Sequence, residues 1–163
     1  MDMEKKLQDA VNEQIKNELY SAYMYLSMAT YFDGEKMPGF AAWMKAQAKE
    51  EYSHAMKLYD NLADRGARVL LKAIEQPPVN FNSPLEVFEQ TLAHEKKVTK
   101  MIENLYVMAT EMKDIAASVM LQWFVAEQVE EESTASGIVE ALKRLKDKSE
   151  PLFMLEKELG KRG

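Results

Sequence analysis

The stretch Glu50-Glu51-Tyr52-Ser53-His54 decides how this chain is read. It lies inside a segment whose apolar residues recur every three or four positions, as on an amphipathic helix. That stripe runs Phe40, Met44, Gln47, Glu51, His54, Leu58, so an amide, an acid and an imidazole interrupt a face meant for burial. A buried carboxylate left alone costs several kcal/mol, roughly, and is therefore paired, protonated or bound to a metal ion. The same interruption recurs in three other segments. Their stripes run Leu7, Val11, Ile15, Glu18, Ala22, Tyr25, Ala29; Phe88, Leu92, Glu95, Thr99, Ile102; and Leu121, Phe124, Gln128, Glu131, Ala135, Ile138, Leu142. One offset of 77 residues carries Glu18, Glu51 and His54 onto Glu95, Gln128 and Glu131, which makes the two halves an internal repeat in their polar positions.

Punctuation supplies the architecture. The first helix is expected from about Glu4 to Phe32, stopping at Asp33-Gly34, with Gly34 as the left-handed cap. The second runs from Met37-Pro38-Gly39 to Arg65-Gly66. The third opens on Ser83-Pro84-Leu85-Glu86, a capping serine, a proline at the first helical position and a glutamate able to reach back, and ends near Met112. Asp114 caps a fourth helix continuing to about Lys146, and Ser149-Glu150-Pro151 starts a short fifth, about 150–159. Short connections make helices one and two, and three and four, antiparallel hairpins. The stretch from Ala67 to Asn82, with Gln76-Pro77-Pro78, is long enough to cross the length of a bundle. One long crossover between two hairpins gives an all-α, ferritin-like four-helix bundle, a single domain spanning 1–163 with its core at about 4–146. The apolar residues Leu152, Phe153, Leu155 and Leu159 are expected to seat the fifth helix at a subunit junction. Residues Leu19 to Leu26 are apolar or aromatic around most of the helix, which implies burial on two faces and hence self-association.

Composition narrows the function classes. The chain has 163 residues, 47% hydrophobic and 29% charged, with a formal charge of −6. That balance fits a protein handling cations, not nucleic acid. The absence of cysteine excludes a thiol nucleophile, a zinc ribbon and a disulfide framework. Neither a long apolar run nor a signal-peptide core is visible, so a cytoplasmic protein without a membrane partner is expected.

Spacing of three along a helix puts Glu51 and His54 on one face, able to grip one ion, and Gln128 with Glu131 on another, able to face a second. Oxygen donors with one imidazole suit iron or manganese better than structural zinc. The alternative is a buried hydrogen-bonded network without metal. Glu50, Glu127 and Glu130 each precede a stripe residue by one position, so they lie about 100° off the core stripe. They form either a third, more exposed metal site lacking an imidazole or a solvated acidic face.

At Glu18, Glu51-Tyr52-Ser53-His54, Glu95 and Glu127-Gln128-Val129-Glu130-Glu131 the chain resembles the non-haem ferritins of bacteria and archaea. The resemblance implies that Glu18, Glu51 and His54 hold one iron and that Glu51 bridges to a second, held with Glu95 and Glu131 beside Gln128. Glu50, Glu127, Glu130 and Glu131 would hold a third. It also implies a ferroxidase, oxidising Fe(II) to Fe(III) with dioxygen or hydrogen peroxide, and storage of hydrated ferric oxide inside a hollow homo-oligomeric shell, usually of 24 subunits. Tyr25 matches the family's redox-active tyrosine, or is a plain core aromatic. Bacterioferritin carries a haem-ligating methionine where this chain has Tyr52, so no haem is expected. Two other readings stay open: a ferritin-like di-iron peroxidase, and a non-catalytic bundle whose core acids are structural. Trp123 and His94 are read as packing residues.

Overall fold

The computed structural model describes residues 2–146 and 148–162. It contains α1 (Lys5–Gly34), α2 (Pro38–Asp64), α3 (Pro84–Glu111), α4 (Ile115–Leu145) and α5 (Ser149–Leu159), with no strand among the described residues. The helix ends follow from local chemistry. Ser83 Oγ accepts from the Glu86 backbone N–H at 3.1 Å, and Asp114 Oδ1 accepts from that of Ala117 at 3.0 Å. Each such cap is worth about 1 kcal/mol. The Glu86 side chain does not reach back to Ser83; its carboxylate accepts from Asn82 and Gln90 instead.

Gly34 is not the left-handed residue that ends α1. Lys36 takes that conformation, at φ 61°, and the Met37 N–H closes the turn on the Phe32 carbonyl at 2.9 Å. The chain thus ends α1 with a wide C-terminal turn whose bonds, not its glycine, set the geometry. At the end of α2 a glycine does supply the left-handed turn, Gly66 at φ 77°.

Residues 67–82 form the crossover, and α1 holds it along its length. Asn12 donates to the Arg68 carbonyl at 3.2 Å and accepts from the Leu70 N–H at 2.8 Å. Fifteen residues further along α1, Ser27 Oγ donates to the Pro78 carbonyl at 2.6 Å. At 1.5 Å per residue those anchors are about 22 Å apart, so α3 begins at the end of the bundle opposite to the one where α2 finishes. The order is therefore up, down, down, up, with α2 and α3 parallel.

The core is two apolar clusters, not one. Met28, Phe32, Phe40, Met44 and Phe88 fill one end. Val11, Ile15, Leu58, Ile102 and Phe124 fill the other. Between them lie Glu18, Gln47, Glu51, His54, Glu95, Gln128 and Glu131, all buried.

α5 docks on the bundle of its own subunit. Leu152, Leu155 and Leu159 pack onto the first apolar cluster of their own subunit, leaving Phe153 and Met154 exposed. The docking is close because glycines permit it. A Cβ on Gly39 would lie 2.0 Å from the Glu156 carbonyl oxygen, and the Gly39 N–H donates to the buried Glu156 carboxylate. A different surface carries the apolar exposure expected of α1: Tyr23 and Leu26 stand open beside Ile74 and Val79 of the crossover.

Candidate metal centre

Helices α1 to α4 each contribute at one level because each of their apolar stripes is interrupted at its middle. α1 brings Glu18, α2 brings Glu50, Glu51 and His54, α3 brings Glu95, and α4 brings Glu127, Gln128, Glu130 and Glu131. Their donor atoms converge in three groups. One atom each from Glu18, Glu51 and His54 lies within 4.8 Å of the others, and so does one each from Glu51, Glu95 and Glu131. The third group is Glu50, His54, Glu127 and Glu131. Glu51 thus belongs to both buried groups, and Glu131 joins the second to the third.

The imidazole of His54 stands between two sets of acids. Its Nδ1 is 3.2 Å from Glu51 Oε2 and 3.9 Å from Glu18 Oε2. Its Nε2 is 4.0 Å from Glu50 Oε1 and 3.9 Å from Glu127 Oε1. The off-stripe acids therefore do face an imidazole, which spacing alone did not reveal, because one ring presents a nitrogen on each side. Trp123 sits edge-on against that ring at 5.4 Å and holds it from the outer side. Glu130 lines the same cavity as Glu50, Glu127 and Glu131 but is exposed and outside the converging group.

Neutral side chains orient the acids. Gln47 Nε2 donates to Glu51 Oε1 at 2.9 Å and to Glu131 Oε2 at 2.7 Å. Gln14 donates to Glu18 Oε1 at 3.0 Å. Gln128 turns its amide nitrogen onto Glu95 Oε2 at 3.1 Å and Thr99 Oγ1 at 3.1 Å, so here it positions Glu95. The Tyr25 hydroxyl donates to Glu95 Oε1. Gln14 and Thr99 were not singled out from the sequence, and Gln47 was read only as a break in its stripe. His94, by contrast, bonds Ser21 at 2.7 Å away from the acids, where burial, then Lys97, pulls its pKa down to about 4.

The electrostatics favour a cation. Burial, reinforced by Glu51, pushes Glu18 well above the usual carboxylate range, and burial with the charge of Glu95 does the same for Glu51. Burial raises Glu95, and burial with the charges of Glu95 and Glu50 brings Glu131 up to about 8. Such carboxyls release protons when a metal ion takes their place. Glu18 Oε2 is buried with no hydrogen-bond partner among the described residues, and it belongs to the group that converges with His54. Carboxylate oxygens and one imidazole nitrogen form a donor set that fits a hard or borderline divalent ion such as Fe(II).

One cation does approach this region. Arg162, at the end of the chain beyond α5, bonds the Glu50 carboxylate and stacks over Trp43, with its guanidinium carbon 4.4 Å from the ring centroid. Reading the helical stripes found no such partner, because a tail residue has no periodic place.

Comparison with known proteins agrees with this geometry. A model described as ferritin-like domain matches residues 8–145. The chain is 44% identical over 157 residues to a bacterial non-heme ferritin of Bacteroides fragilis, covering 96% of this chain and 98% of that protein. It is 41% identical over 160 residues to one from Staphylococcus aureus, covering 98% and 96%. The open pore ferritin of the archaeon Archaeoglobus fulgidus superposes with a TM-score of 0.98 at 48% identity, covering 99% of this chain and 100% of that one. With its buried acids at one level and its likeness running end to end, the chain belongs to the ferritin family.

Proposed function

We infer that this protein is an iron-storage ferroxidase that takes up Fe(II) as substrate, oxidises it and keeps the Fe(III) as hydrated ferric oxide. The observation that carries the reading is the pair of buried groups sharing Glu51, placed where four helices interrupt the apolar core. In it, Glu18 and His54 hold one ferrous ion, Glu95 and Glu131 hold another, and Glu51 spans both. Each ion gives up one electron, and an oxidant such as dioxygen takes two electrons and two protons to leave as hydrogen peroxide. Gln47 fixes the spanning carboxylate, and Tyr25 and Gln128 fix Glu95. Glu50, Glu127 and Glu131, with Glu130 at the wall of the same cavity, form a third and more exposed site that passes oxidised iron onward.

A hollow shell of 24 copies in the cytoplasm completes the proposal. Support comes from the exposed Tyr23, Leu26, Ile74 and Val79, which together line a groove of about 520 Å³ that a second subunit would cover. No helix among the described residues is long and apolar enough to cross a membrane.

Ferrous iron added in air to the iron-free assembly tests the function. Rapid amber colour with iron retained through gel filtration is expected. Glu51→Ala should remain folded and assembled but lose the fast phase, and unchanged kinetics in that variant would contradict the site.

A further inference from the structure

We propose that Arg162 is a latch: a tethered cation that occupies the mouth of the third site and is displaced when a metal ion binds there. This inference rests on the third-site reading above. Three observations support it. First, the guanidinium bonds Glu50, one of the four residues whose donor atoms converge at that site. Second, Arg162 lines the same cavity of about 240 Å³ as Gln47, Glu50, Glu127, Glu130 and Glu131. Third, the arginine is held from outside the four-helix core, by stacking on the buried ring of Trp43, at the end of a segment that docks through Gly39 and Glu156.

The chemistry follows from charge. The acids of the third site bring their oxygens within 4.8 Å of one another and repel when charged. A guanidinium at Glu50 relieves part of that repulsion when no metal is bound. It carries one positive charge on a planar fork, whereas a divalent ion brings two charges and accepts several oxygens at once. The two cations therefore compete for Glu50. Because the arginine is attached to the chain, its local concentration is fixed however dilute the protein, and it sets a threshold that the metal must exceed. No equivalent cation approaches the two buried groups among the described residues, so the latch discriminates between sites. The buried pair fills freely, and the third ion enters only against the arginine.

The test uses the assembled, iron-free protein and Zn(II), which binds without redox chemistry. Calorimetric titration should resolve two tighter steps and one weaker step per subunit. Arg162→Ala should tighten the third step by about tenfold and leave the first two unchanged. Arg162→Lys keeps the charge and should remain closer to the unmodified protein. A second readout is the emission of Trp43 in a Trp123→Phe background. Zn(II) should change that emission at the third equivalent, as the guanidinium leaves the ring, and Arg162→Ala should abolish the change. Circular dichroism checks that α5 stays helical in each variant. A third step of the same affinity in Arg162→Ala would overturn the latch while leaving the third site standing. No third step in either protein would overturn the third site and the latch with it. A third step seen only in Arg162→Ala would overturn displacement by the metal and leave Arg162 as a fixed block of the site.

Discussion

His54 Nδ1 lies 3.2 Å from Glu51 Oε2, which fixes a ring whose opposite nitrogen faces Glu50 and Glu127. One imidazole thus stands at the boundary between the buried pair of groups and the more open one. The same three-residue spacing on α2 that makes the contact also sets its level, because α2 brings Glu51 and His54 in line with Glu18 on α1.

Gln47 is the residue most directly holding the two buried groups in register, since its one amide nitrogen serves both Glu51 and Glu131. Gln47→Leu keeps the volume and removes the donor. We expect Zn(II) affinity at the buried sites to fall by about 10–100-fold, with the helical content unchanged. Equal affinity in the variant and the unmodified protein would show that the acids hold themselves.

The buried acids make stability depend on pH in a stated direction. Glu131 titrates at about 8 in the folded chain against an ordinary value of 4.5, and Glu18, Glu51 and Glu95 are raised as well. A raised carboxyl binds its proton more tightly when folded. Its contribution is fully present below about pH 4.5 and is lost as pH rises through the folded value of about 8. The metal-free protein should therefore melt at progressively lower temperature between pH 5 and pH 8, in roughly that window. Zn(II) loading should flatten the slope and release protons measurable in an unbuffered cell. A metal-free melting temperature that rises across the window would contradict the assignment.

Gly39 is the contact on which α5 depends. Replacing it with alanine puts a methyl carbon 2.0 Å from the Glu156 carbonyl oxygen, a backbone atom that cannot swing aside. Gly39→Ala should destabilise the docked α5 by about 1–3 kcal/mol. Limited proteolysis should then cut between α4 and α5, while α1 to α4 stay helical and resistant. Undiminished protection of that junction would mean that α5 docks by another route.

Much of this was legible in the sequence because a helix writes its buried face at a fixed period. Glu18, Glu51, His54, Glu95 and Glu131 each occupy a stripe position, and all five are buried where their stripes placed them. Ser83 and Asp114 announced their helices through side-chain oxygens that act locally. What period and local chemistry do not encode was missed. The left-handed turn after α1 falls on Lys36, because six residues of hydrogen-bonded turn geometry outweigh the preference of Gly34. Gln14 sits one position before the stripe residue Ile15, so it read as a flank, yet its reach brings it to Glu18. Phe153 belongs with Leu152 and Leu155 by composition, but the pitch of an eleven-residue helix turns it to the outside. Arg162 is the extreme case, a residue joined to Glu50 across 112 positions with no pattern between them.

Where iron sits decides whether the buried acids are the site of oxidation. Anomalous diffraction at the iron edge, on crystals of the assembled protein soaked anaerobically with Fe(II), measures that directly. Two strong peaks per subunit are predicted, one among Glu18, Glu51 and His54 and one among Glu51, Glu95 and Glu131. A weaker third is predicted beside Glu50 and Glu127, stronger in Arg162→Ala than in the unmodified protein. Iron found only on the outer acids, with neither buried group occupied, would contradict the central claim.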